Sequence, residues 1–369
     1  SAVADIPGPP VRLTPVAPAP SRSTPLVQAP PSTTPAEGTP EFDHGSRRSS
    51  ESVVALIDER LQAHWKEHEV TPSPRASDAE WLRRVHLDLV GQIPSVETVT
   101  EFLADNRPDK RDRMVDELLA SPGFARHYSV VWSNLLIGHT SPSDVNLPAL
   151  EKFLREQFHR NRPWSETLTR LISAEGFEDE DGATNFLLAH LNNGAVPATA
   201  VTARVLLCEQ VQCTQCHNHP TGDWTQDRFW ELNAFFQQTE IVRRRRRDGS
   251  GMGRDRLELV SLEVGGPTFF EDRHAKVSVA YPTYAGVEVD PSESTNRREE
   301  LARLLCNGER PQAARAFVNR IWGKLFGYAF TDPVDDMGPH NRIVLPELLD
   351  DLTVEFVRSG YDVKRLIRW

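Results

Sequence analysis

From position 50 to the end of the chain, Ser, Pro and Gly recur at intervals that cut the sequence into short amphipathic segments. This punctuation restricts the fold more than any other feature. Val53, Ile57 and Leu61 recur at helical spacing after Ser52. Ser77-Asp78-Ala79-Glu80 has the form of a capping box, with Trp81, Leu82, Val85, Leu87 and Leu89 as the apolar side behind it and Gly91 and Pro94 as the stop. Ser95 caps a helix over 96–104, Pro108 opens one running to 119, and an aromatic-rich helix follows over 124–137. The same reading predicts helices over 147–160, 165–174, 197–212, 228–238, 297–306, 311–325 and 346–358, and a last one from 362. The fold class is therefore mainly α, a multi-helix chain of the size of one large or two medium domains.

Two regions depart from this pattern. Residues 1–48 are rich in Pro, Ala, Ser and Thr and cannot bury a core, so a disordered tail is expected there, acting as a passive linker or as a tether to a partner. Arg243 to Arg247 form a run of five arginines, followed by a Gly-rich stretch and by segments over 257–264, 275–280 and 281–289 that alternate like strands. The expected organisation is a tail over 1–48, a helical domain over 49–240, a loop and small β insertion over 241–290, and a second helical domain over 291–369. The acidic stretch 178–182 is read as a solvated loop. The arginine run is read as a solvated edge or a docking patch for an anionic partner.

The chemistry concentrates in Cys213-Thr214-Gln215-Cys216-His217, followed by Asn218-His219-Pro220. The order C-x-x-C-H is the attachment pattern for a c-type haem. Two thiols three positions apart can add across two vinyl groups of one porphyrin, and the adjoining imidazole can take the iron from the proximal side. The other readings are a zinc or iron site using Cys213, Cys216, His217 and His219, a thioredoxin-like redox pair, and a structural disulfide. No second C-x-x-C or H-x-x-H is present to complete a zinc ribbon. The redox pair wants a βαβ setting, and the flanks here are helical.

A sixth iron ligand would come from a distance. The candidates are Met337 or His340 in the irregular stretch after 325, Met252 in the Gly-rich stretch, and His127 or His139. A Met would raise the potential and a second His would lower it. His219 lies too near His217 to reach the opposite face and is read as a partner of the haem edge or a structural cap. His64 and His68 stand four apart near the end of a helix with no acidic or Cys partner at matching spacing, and are read as a solvated helix end. The aromatic cluster Phe229, Trp230, Leu232, Phe235 and Phe236 suits a porphyrin face or an ordinary core equally. Cys208 and Cys306 sit in apolar contexts and read as small buried hydrophobes.

The formal net charge of −11 argues against non-specific nucleic-acid binding. No apolar run approaches the roughly 18 residues of a membrane span. No Ser-His-Asp signature, P-loop or Rossmann glycine pattern is present, so hydrolase and nucleotide chemistry are not indicated.

Several motifs together resemble the planctomycete cytochrome c-like domain family. They are Val211-Gln212-Cys213-Thr214-Gln215-Cys216-His217-Asn218-His219-Pro220, Trp224-Thr225-Gln226-Asp227, Ala234-Phe235-Phe236 and, upstream, Leu87-Asp88-Leu89-Val90-Gly91. Downstream, Ala316-Phe317-Val318-Asn319-Arg320-Ile321-Trp322 and 332–339 resemble the partner domain that usually follows. The resemblance implies a haem protein exported to the periplasm or cell envelope, where covalent haem attachment takes place. It also implies a second domain that continues beyond Trp369. The haem box itself is read as single-electron transfer with a redox protein or membrane complex as partner, the alternative being a zinc- or iron-stabilised structural or interaction subunit of an envelope assembly. The tail and the arginine run are the candidate docking elements.

Overall fold

In the computed structural model, residues 48–138, 145–245 and 255–369 are described. Residues 1–47 of the tail, His139, Met252, Arg246 and Arg247 lie outside them. Fourteen α-helices occur among the described residues, with three small sheets, so the protein is mainly α. The first five helices are α1 (Ser50–Glu67), α2 (Asp78–Val90), α3 (Val96–Ala104), α4 (Lys110–Ala120) and α5 (Pro122–Ile137). Next come α6 (Leu147–His159), α7 (Trp164–Ser173), α8 (Thr184–Leu188), α9 (Val196–Val201) and α10 (Gln226–Asn233). The last four are α11 (Arg297–Leu305), α12 (Gln312–Phe326), α13 (Pro346–Arg358) and α14 (Val363–Arg368).

Local signals set most of these boundaries. Ser77 and Glu80 form a reciprocal capping box on α2, and Gly91 ends that helix at φ 71°. Ser95 caps α3 and Ser121 caps α5 through their hydroxyls. On α2 the buried positions are Leu82, His86 and Leu89, whereas Leu87 points outward. The helical period selects His86 over Leu87, against the apolar side expected from composition. The short helix α8 had no counterpart in the sequence reading.

An aromatic column forms the centre of the core. Trp132 of α5 and Trp164 of α7 both pack on Phe317 of α12, with Trp132 stacked at 5.4 Å, and Phe317 stacks on Phe356 of α13 at 5.3 Å. One continuous apolar cluster runs from Val53 to Ile367. At the start of α11, Arg297 and Arg298 are almost fully buried. Arg297 donates to the carbonyls of Ala234, Gly266 and Pro291, and Arg298 donates to those of Ile172 and Ala174 and to the Ser261 hydroxyl. These bonds offset the cost of burying two guanidinium groups. Burial also pulls Arg298 down to about 10.

The strands are β1 (Gly176–Phe177), β2 (Thr239–Arg245), β3 (Asp255–Ser261), β4 (Thr268–Glu271), β5 (Val277–Ala280), β6 (Thr283–Tyr284) and β7 (Val287–Glu288). The first sheet has the order β1-β3-β2 and is antiparallel, with Arg244 opposite Arg256. The other two are the β4-β5 and β6-β7 hairpins. Arg243 to Arg245 therefore lie on a paired strand, and Arg244 is bound by Glu258 at 2.7 Å. The acidic stretch is tethered as well as solvated. Arg256 takes both Asp179 and Glu180, Arg170 takes Asp181, and the Glu178 carboxylate accepts the backbone N–H of Leu257.

Candidate functional site

The helix expected over 197–212 is shorter. α9 passes into a single π turn, Thr202–Leu206, and the chain then leaves helical geometry, with Cys208 at φ 55°. A helix end leaves its last carbonyls without intrahelical partners. Here they are taken by residues more than a hundred positions downstream. Arg320 donates to Arg204 O at 2.7 Å and to Val205 O at 3.0 Å. Gln312 Nε2 donates to Leu207 O at 2.8 Å, and the Met337 N–H donates to Cys208 O at 2.7 Å. The tertiary capture of these carbonyls ends the helix early, and no local residue signals it.

The C-x-x-C-H box begins on a 3-10 turn, Gln212–Gln215. The buried Thr214 hydroxyl donates to Val211 O at 2.6 Å. Gln226 Nε2 and Trp230 Nε1 both donate to Gln215 O, at 3.0 and 3.1 Å, and Gln226 also reaches Glu271 O on β4 at 2.9 Å. The backbone N–H of Gln226 donates to Asn218 Oδ1, and that of His219 donates to Trp224 O. Thr225 caps α10. The W-T-Q stretch is thus a brace that holds the box turn from the other side.

On this frame Cys213 is half-buried and Cys216 exposed, and all four cysteines are free thiols. His217 Nδ1 lies 2.7 Å from Asn218 O, so that nitrogen carries the proton and Nε2 keeps its lone pair. His219 has the opposite tautomer, because its Nδ1 accepts the backbone N–H groups of Thr221 and Gly222. A Cβ at Gly222 would come within 2.9 Å of that nitrogen, so the turn needs glycine. His219 stacks on His340 at 5.1 Å, and His340 is held by Asp336 at 2.9 Å. The loop after α12 therefore lies along the box. It brings His340 to it, and Asp335 accepts from Gln210. Met337 is instead buried in the core, with its sulfur 3.8 Å from Gln312 Nε2.

The remaining candidates are engaged elsewhere. His127 Nε2 accepts from Lys324 Nζ at 3.0 Å, and burial, reinforced by that charge, pulls His127 down to about 4. Burial raises the Cys208 thiol to about 11 and the Cys306 thiol to about 12, which makes both unreactive. Burial also raises Glu209, whose carboxylate accepts from Trp224 Nε1. Phe229, Leu232, Phe235 and Phe236 are core residues, and only Trp230 of that cluster borders the box while stacking on Phe270.

Among the described residues, Cys213, Cys216, His217 and His219 do not supply three donor atoms within 4.8 Å of one another. His64, Glu67 and His68 do. The acidic partner that the sequence reading missed is Glu67, three positions after His64. Reading the residues between the two histidines would have found it. Among the described residues, no helix is long and apolar enough to cross a membrane.

A family model described as a protein of unknown function (PSCyt2, DUF1549) matches residues 56–241. A second, also described as a protein of unknown function (PSD1, DUF1553), matches residues 297–369. No curated protein and no solved structure matches the chain.

Proposed function

Because the chain belongs to the PSCyt2 family, we propose that it is an exported c-type haem protein that passes single electrons within a cell-envelope assembly. The porphyrin would be joined to Cys213 and Cys216, with His217 as the proximal ligand. The observation that carries this reading is the donor set on the box turn. It comprises two free thiols and an imidazole whose Nδ1–H is spent on Asn218 O, which leaves Nε2 as the nitrogen able to ligate.

The spread of these donors favours a macrocycle over a point ion. A tetrahedral zinc site needs its ligand atoms close together, whereas a porphyrin takes two sulfurs at separate points of its edge. When bound, haem would supply a one-electron iron couple whose potential depends on axial ligand and burial. The protein's own contribution is positioning. Asn218 O fixes the His217 tautomer, and Gln226 and Trp230 hold the turn by one carbonyl. Of the two distal candidates in the loop after α12, His340 is the one at the box, oriented by Asp336. The partner is a redox protein or membrane complex, reached through the tail or the arginine strand.

The test is the absorption spectrum of protein purified from a host that matures c-type haem, with and without dithionite. A Soret band that survives acid-acetone extraction and is lost in the C213S/C216S variant is the expected result. A colourless protein containing stoichiometric zinc lost in that same variant overturns the reading.

A further inference from the structure

The last turn of α1 carries a second donor cluster, independent of the box. His64, Glu67 and His68 follow the spacing H-x-x-E-H, so positions i, i+3 and i+4 share one helix face. One ligand atom from each lies within 4.8 Å of the other two, and the imidazole centroids are 4.2 Å apart, inclined at 41°. His68 Nδ1 donates to His64 O at 3.0 Å, which fixes its ring and leaves Nε2 to ligate. The carbonyl end of an 18-residue helix adds partial negative charge where a cation would sit.

All three side chains line a groove of about 310 Å³ whose far wall is formed by Arg342 to Leu348. Arg60, which also lines the groove, is paired with Glu347 and Asp351 of α13. None of the three belongs to the apolar core. Two imidazole nitrogens and one carboxylate suit a borderline divalent cation better than calcium or magnesium, which prefer all-oxygen sites.

We propose that His64, Glu67 and His68 bind one zinc-class divalent cation, with an open coordination position facing the groove. Three protein ligands and a free position form the donor arrangement of zinc sites that hold water or an external ligand. The site is independent of the box, so it stands whether or not haem is carried there.

The experiment titrates the full chain with cobalt(II), read by its visible bands, and with zinc(II), read by calorimetry. The expected result is one equivalent bound by the wild type and by a C213S/C216S/H217A variant. Affinity should fall roughly tenfold or more in H64A/H68A, since even the partners of metal ligands are worth that much, and by a smaller factor in E67Q. Circular dichroism checks that these exposed substitutions leave the fold intact. Equal binding by H64A/H68A and wild type overturns the proposal, as does loss of binding in the box variant alone.

Discussion

The box turn and the end of α1 each present histidines beside other donor groups, yet they are built in opposite ways. The donors of the box lie on and just after a 3-10 turn whose own bonds to Val211 O and Cys213 O are supplemented from outside it. It is fastened from α10 through Gln226 and Trp230, while α12 holds the helix end just before it. The donors of α1 converge on one helical turn and are ordered by that helix, with His68 tied to the carbonyl of His64. Spread donors suit a large planar group gripped at its edge, and converged donors suit a single ion. The contrast also separates what each site needs: the first depends on tertiary structure, the second on a helix with its own N-cap at Ser49.

The largest expected effect comes from Arg320→Ala. It removes the donor from the part-buried Val205 O and from the exposed Arg204 O at the end of the π turn, at a cost of roughly 2 kcal/mol. Urea unfolding should show this loss, with lower haem occupancy and unchanged cobalt binding at α1. A parallel fall in both would break the contrast. Gln226→Ala should act in the same direction but more weakly, at roughly 1–2 kcal/mol, since Trp230 still holds Gln215 O. Here the reduced haem spectrum is the sharper readout, because the substitution loosens the turn rather than the core.

The smallest expected effect is on acid stability. His127 stays neutral in the folded protein down to about 4, held there by burial and by Lys324 of α12. The unfolded chain takes up that proton near the ordinary histidine value of about 6.5. Stability should therefore fall as pH drops from about 6.5 towards 4, by on the order of 1 kcal/mol once solvent screening is allowed for. His127→Gln should flatten this slope in denaturation curves taken across that window. A slope identical to wild type would show that His127 does not carry the acid dependence.

Helix starts were legible because their causes are local. Ser77 with Glu80, Ser95 and Ser121 each cap with their own side chains. The box was legible as a pattern for the same reason, and the brace Trp224-Thr225-Gln226 was visible as a motif although its bonds were not. The early end of the helix before Cys208 was hidden, because the groups that end it arrive from α12 and from Met337. The aromatic cluster read two ways until the fold assigned all but Trp230 to the core. The α1 cluster was overlooked for a simpler reason: the two histidines were noted without the glutamate between them, and a face is defined by all of its members.

The long reach of the carbonyl clamp also sets a timetable. Gln312 and Arg320 stand 105 to 116 residues after the carbonyls they hold. While the chain is being made, the box therefore emerges well before those two residues do. Any group joined to Cys213 and Cys216 in that interval is joined to a loose segment, and seating it becomes one of the last steps of folding. Maturation would then be limited by the arrival of α12 rather than by access to the thiols.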